Sequence, residues 1–358
     1  MSSDIQIKQL EIAEQDALLA FLRIAYPGDL RRSEPTFWRW HFVENPFAGH
    51  ENIPCWILKR GEEVLGQIAA IPVEMKVGDE RIRAACMIDL IVHEDLRGQG
   101  FGKRLFHAAG EQYSTMFSLG MNENSTPILH KLQWADLGSL HRYHRLLFPG
   151  EALKEARNIA PLREALNLAY APFRPRLSRS SAKEFAVREV SSFDSSFTEF
   201  WQEARAQWPC VVERNRSYLE WQFGRQPGKR FEILGCYEEN RLLGYTVLFF
   251  RKPERASVPP KAAISDICYR MKDSATIIDE LLRAALSRAL ERRAGSLVTD
   301  VLDPLVEERL KRFGFWRVKT APQFMAGSSE HQELLYNAGN WFLTRADSDV
   351  SIFEQPNL

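Results

Sequence analysis

Ile91-Val-His-Glu-Asp-Leu-Arg97-Gly-Gln-Gly100-Phe-Gly102-Lys-Arg-Leu105 joins an apolar run to a helix-prone one through a glycine-rich turn. Met87-Ile-Asp89-Leu90 extends the apolar run backward, so the order is buried strand, polar turn, glycine loop, helix start. Small residues let backbone approach a ligand closely, and the free N–H groups of a helix N-terminus favour a phosphate. Other phosphate-binding loops fail on spacing. A P-loop needs glycine five residues before its Gly-Lys pair and Ser or Thr after it; positions 97 and 104 are both Arg. A dinucleotide fingerprint would need glycine where Lys103 stands.

Outward from this loop the chain repeats itself. Phe37-Trp-Arg-Trp-His-Phe-Val-Glu-Asn-Pro46 returns as Tyr218-Leu-Glu-Trp-Gln-Phe-Gly-Arg-Gln-Pro227. Each copy predicts a short aromatic helix, capped near Ser33 or Asn215 and ended by its proline. Hairpin patterns follow, around Gly66 in one copy and Gly244 in the other. Next come the strands holding Asp89 and Asp266, then helices over 100–113 and 274–292, strands over 116–121 and 296–301, and the endings Trp134 and Phe315. The alternation predicts α/β architecture: two tandem modules, each a sheet with helices on both faces. The expected division is 1–149, a helical linker 150–182, and 183–358.

The 358 residues carry 47 basic and 47 acidic side chains, so no overall basic field gathers nucleic acid. A local excess sits in the linker, where residues 151–182 hold 6 basic against 3 acidic residues. Its leucines and Phe173 predict a helix packed across the modules, broken by Pro161; interfacial membrane contact through 152–176 is the alternative. The five cysteines lie in apolar runs without C-x-x-C spacing, the pattern of buried reduced thiols rather than a metal or redox site. No apolar run reaches membrane-spanning length and no signal segment opens the sequence, which points to the cytoplasm. Asp347-x-Asp349 reads as a solvated turn, and His141, Tyr143 and His144 as packed residues. No metal is expected.

Arg97, Gly100 and Gly102 match the Arg/Gln-x-x-Gly-x-Gly/Ala loop of the GNAT superfamily of acyl-CoA N-acyltransferases, and the element order of residues 5–148 resembles that fold. The second half resembles it too, closing on Gly314-Phe315, but has Arg270-Met-Lys-Asp-Ser-Ala-Thr where the loop belongs. The resemblance implies two GNAT-like modules with mixed, mostly antiparallel sheets, the second lacking the phosphate cradle. It implies acetyl-CoA or another acyl-CoA as co-substrate. Backbone N–H groups of Gly98, Gln99, Gly100, Phe101, Gly102 and Lys103 would hold its pyrophosphate, beside Arg97. Leu90, Ile91 and Val92 would pair with the pantetheine arm, and Asn124, which with Asn122 follows the fifth strand, would also bind the cofactor. The acceptor would be the amine of a small molecule such as an amino sugar or amino acid derivative.

The catalytic residues fit the pattern less well. Many members place a tyrosine acid where this chain has Leu129; His130, its neighbour, is the substitute candidate. Asp89 is the candidate base, although Asp266 at the equivalent place points equally to a shared structural role. Trp38 and Trp40 lie on a helix that borders the acceptor groove in the superfamily, but core packing is the simpler expectation. Two alternatives remain at this level: a FemX-like transferase using aminoacyl-tRNA, and a non-catalytic acyl-CoA- or ligand-binding protein.

Overall fold

A computed structural model describes residues 5–48, 53–121, 124–153, 159–175, 184–228, 231–251, 261–319 and 321–349. Asn122 lies outside them. The first half runs β1 (Ile5–Gln9), α1 (Gln15–Ala25), α2 (Pro35–Phe42), β2 (Cys55–Arg60), β3 (Glu63–Val77), β4 (Glu80–Val92), α3 (Phe101–Gly110), β5 (Thr115–Leu119), α4 (Thr126–Lys131), β6 (Ala135–Ser139) and β7 (His141–Leu146). β1 to β4 pair antiparallel in sequence order, and β5 joins parallel to β4 through Ala85–Met116 and Cys86–Phe117. Two short helices follow, α5 (Pro149–Ala152) and α6 (Ala160–Ala169).

The second half repeats the order: β8 (Phe185–Val190), α7 (Ser195–Ala204), β9 (Cys210–Val212), α8 (Arg216–Leu219), β10 (Phe231–Glu238), β11 (Arg241–Arg251), β12 (Lys261–Tyr269), α9 (Ser274–Glu291), β13 (Ser296–Leu302), α10 (Pro304–Arg312), β14 (Trp316–Arg317), β15 (Gln323–Ser328), α11 (Gln332–Leu335) and β16 (Trp341–Thr344). Both halves are α/β with mixed, mostly antiparallel sheets.

The halves trade their closing strands. β15, from the second half, lies between β5 and β6 of the first. β7, from the first half, lies between β13 and β14 of the second. The trade buries Phe324, Met325 and Tyr143 completely in the opposite half. A cut of the chain near residue 149 therefore separates neither sheet from the other half.

The repeat meets itself at the centre. Trp40 Nε1 donates to the Trp221 carbonyl at 3.0 Å, and Trp221 Nε1 donates to the Trp40 carbonyl at 2.9 Å. Their rings stack at 5.2 Å and 19°. Equivalent residues contacting each other reciprocally define a pseudo-twofold axis. Trp38 and Trp40 are thus core residues, as expected.

Three local expectations are corrected. Glu34, not Ser33, caps α2, accepting from the N–H groups of Thr36 and Phe37. Pro35 at the first helical position moves the cap one residue on. Pro161 likewise starts α6 instead of breaking a helix. Finally, α6 turns its polar side inward. Asn167 is buried, accepting from the Gly150 N–H at 2.9 Å, while Leu168 and Phe173 are 77% and 67% exposed. The leucine stripe is not a buried face. No described helix is long and apolar enough to cross a membrane.

Candidate active site

β4 and β5 stay paired only as far as Cys86–Phe117 and then diverge. Ser118 Oγ donates to the Met87 carbonyl at 3.0 Å just where they part. A cavity of about 190 Å³ opens beyond this point, lined by Met87, Leu90, Phe106 and Ser118 and by the charged residues Arg32, Asp89 and Asp349.

Asp89 owes its aim to a bulge. Gln67 pairs with Ile91 and Ala69 with Ile88, so two β4 residues, Asp89 and Leu90, face one β3 residue. Asp89 takes φ +53° there, a left-handed conformation that Asp tolerates better than most residues. Its carboxylate pairs with Arg32, which also donates to Asp29 at 3.1 Å. Asp349 lies 4.0 Å from the same guanidinium. Burial pushes the Asp349 carboxyl up against the opposing pull of Arg32.

The glycine loop opens α3, the helix whose Phe106 lines this cavity. A short turn, Glu94–Leu96, leads to Gly98 and Gly100, at φ +78° and +82°. An added Cβ at either would meet nothing within 4 Å, so their need is conformational. Gly100 is the N-cap of α3, whose first turn has no side-chain cap. The free N–H groups and the helix dipole make an anion seat there. Gly102 is glycine for another reason: a Cβ would sit 2.8 Å from Ile128 Cδ1 on α4. Phe101 turns into a small core with Leu58, Leu65 and Leu96. Arg97, Gln99 and Lys103 are exposed. Arg97 Nε donates to the Val92 carbonyl at 3.1 Å, and Gln99 folds back on the Asp95 carbonyl at 2.8 Å. Leu90 lines the cavity, while Ile91 and Val92 pair with Gln67 and Gly66 of β3. His130 and Asn124 are exposed, and neither lines the cavity. Leu129, in the expected tyrosine position, is completely buried.

The equivalent gap in the second half is filled by the chain. β12 and β13 pair from Lys261–Ser296 to Ala263–Val298 and then part. On the edge of β13 thus released, Val301 and Leu302 pair with Thr344 and Leu343 of β16. The turn from Tyr269 to α9 is short, with Asp273 as N-cap. Asp266 is sealed rather than open to a cavity: it holds Arg214 at 3.2 Å and accepts from Tyr245 at 2.8 Å and Thr344 at 2.7 Å. Asp347 takes the other side of Arg214 at 2.6 Å.

Asp347-x-Asp349 is therefore no solvated turn. Each carboxylate answers an arginine, Asp347 with Arg214 and Asp349 with Arg32. The missed residues, Arg32 and Asp349, carried faint signals. Arg32 precedes Ser33 as Arg214 precedes its aligned partner Asn215, but a lone arginine before a cap suggests nothing by itself. His141, Tyr143 and His144 are structural: His141 and Tyr143 bind Glu307 at 2.7 and 2.8 Å, and His144 packs on Trp316. All five cysteines are buried and free. Among the described residues no His, Cys, Asp and Glu cluster could hold a metal.

A family model of the GNAT acetyltransferase domain matches residues 6–134, the stretch holding the diverging strands and the loop. Residues 6–134 are thus similar to a GNAT domain. Solved structures extend that fold likeness over about nine-tenths of the chain. A GCN5-related N-acetyltransferase from Anabaena variabilis shares 11% identity at TM-score 0.61, over 90% of this chain and 72% of its own. Saccharomyces cerevisiae N-myristoyltransferase with bound myristoyl-CoA shares 11% at 0.59, over 91% and 83%. A GCN5-related N-acetyltransferase from Kribbella flavida shares 13% at 0.55, over 91% and 71%. No curated protein matches. The half that matches the family model holds the open cleft; the other half holds a filled one.

Proposed function

We propose that the protein is an N-acyltransferase that moves a short acyl group, acetyl foremost, from acyl-CoA to the amine of a small molecule. One observation carries this reading: an uncapped helix N-terminus at Gly100, on the helix whose Phe106 lines a cavity where β4 and β5 diverge. Backbone N–H groups from Gly98 to Lys103 would hold the pyrophosphate, and Leu90 to Val92 would pair with the pantetheine arm as an added strand. A backbone N–H of that stretch would polarise the thioester carbonyl. A cavity of about 190 Å³ is below the range usual for larger ligands, which favours a short acyl group over a fatty one. We read the chain as a catalytic module over 1–149, a linker over 150–182 and a module over 183–358 whose own cleft β16 occupies.

Calorimetric titration with acetyl-CoA, CoA and longer acyl-CoAs tests the reading. Acetyl-CoA and CoA should bind, at one molecule per chain because the second cleft is filled. Two sites per chain would contradict the role given to β16, and no binding by any of them would overturn the function. Gly100→Val should weaken CoA binding at least about tenfold, or about 1.4 kcal/mol, because a β-branched side chain cannot keep φ +82°. The fold should survive, since the site of the new side chain is open. Gly102→Glu is a poorer test, because it would push on Ile128. Arg97→Ala should matter less, its exposed charge assisting only from the rim. A folded Gly100→Val protein with undiminished CoA affinity would remove the loop's role.

A further inference from the structure

The charge around the cavity is unbalanced. Its charged lining residues are Arg32, Asp89 and Asp349. The guanidinium is shared: Arg32 holds Asp89 and Asp29 in direct pairs and faces Asp349 at 4.0 Å. Three carboxylates thus surround one cation. The counterpart around Arg214 has two, Asp266 and Asp347, with all three side chains buried from solvent. The surplus carboxylate stands where the first half opens to a ligand, and Asp349 is delivered there by the segment that follows β16.

We infer that Asp89 and Asp349 form the seat for the acceptor's ammonium group, so that the acceptor is a cationic amine with no carboxylate beside its nitrogen. This rests on the N-acyltransferase reading and selects amino sugars and simple amines over α-amino acids. An α-carboxylate would meet two carboxylates, and the nearby arginine is already engaged. Like charges so placed repel one another. In the reaction the ammonium gives one proton to Asp349, the nitrogen lone pair forms the C–N bond, and the C–S bond breaks. The departing CoA thiolate takes the nitrogen's second surplus proton, and Asp349 returns its own to water.

Matched pairs test this on the wild-type protein with acetyl-CoA, following release of the CoA thiol. Ethanolamine against glycine, and phenethylamine against phenylalanine, differ in charge mainly by the carboxylate. The amines should be preferred by at least about a hundredfold in kcat/KM. Asp349→Asn should bind acetyl-CoA within about twofold of wild type yet lose at least about thirtyfold in kcat/KM for the amines, and Asp349→Glu should recover part of it. Equal turnover of acids and amines, turnover of none of the four, or an unaffected Asp349→Asn overturns the inference while leaving acyl-CoA binding intact. Failure of wild type to bind acetyl-CoA sinks the N-acyltransferase reading, and the inference with it.

Discussion

Replacing Arg214 with Met should cost about 3–5 kcal/mol of folding stability, a large share of what a domain has. Arg214 is completely buried between Asp266 and Asp347 and also donates to the Val212 carbonyl at 3.0 Å. Burial alone would favour its neutral form, but Asp266 and Asp347 hold its pKa well above the ordinary value. Removing it leaves two buried carboxylates facing each other with no cation between them. Burial already raises the Asp347 carboxyl in the intact protein, and Asp266 pushes the same way. In the variant the Asp347 carboxyl, no longer held down by Arg214, should titrate higher in the folded than in the unfolded state. Such groups favour folding when protonated and lose that favour as pH rises through the folded pKa. The deficit should therefore be smaller near about pH 5 than near about pH 8. Urea denaturation at both pH values measures it. A loss under about 1 kcal/mol, or one larger at low pH, would mean that the cluster is not held by this arginine.

A fragment of residues 1–150 should fail to form a stable monomer. It contains the loop, the cavity walls and six strands of its own sheet, but not β15. Without Gln323–Ser328 the facing edges of β5 and β6 lose every hydrogen bond that joins them. Trp134 loses its cover as well, since its indole packs so closely on Gly327 that a Cβ there would lie 2.4 Å from Nε1. Trp40 would lose both its ring partner and its hydrogen bonds to Trp221. Exposed edges and apolar faces of this kind associate. Size-exclusion chromatography and circular dichroism should find aggregate or loosely folded chain, and co-expression with 151–358 should restore soluble protein. A well-folded monomeric fragment would show that β15 is dispensable.

Much of this architecture was legible because the signals are local. The aromatic motif at 37–46 and its echo at 218–227, the hairpins around Gly66 and Gly244, and the glycine loop all lie within short windows where periodicity and turn chemistry act. The strand exchange was not legible. β7 and β15 look alike as strands whichever sheet they enter, and the choice depends on how the two halves face each other. The site divides the same way. Gly100 and Asp89 announced themselves by motif and by place in a strand. Asp349 could not, because its meaning depends on Arg32, more than three hundred residues earlier in the chain. Gly102 taught a different lesson: the residue matched a ligand-loop pattern, but its missing side chain makes room for Ile128.

β16 has one more consequence. Here a single stretch, 341–349, closes one cleft with its strand and reaches the other with its last described carboxylate. The filling of one cleft and the charge at the other thus hang on one stretch of chain. A change that loosened Trp341–Thr344 would be felt in both halves at once, and the two could no longer drift apart independently.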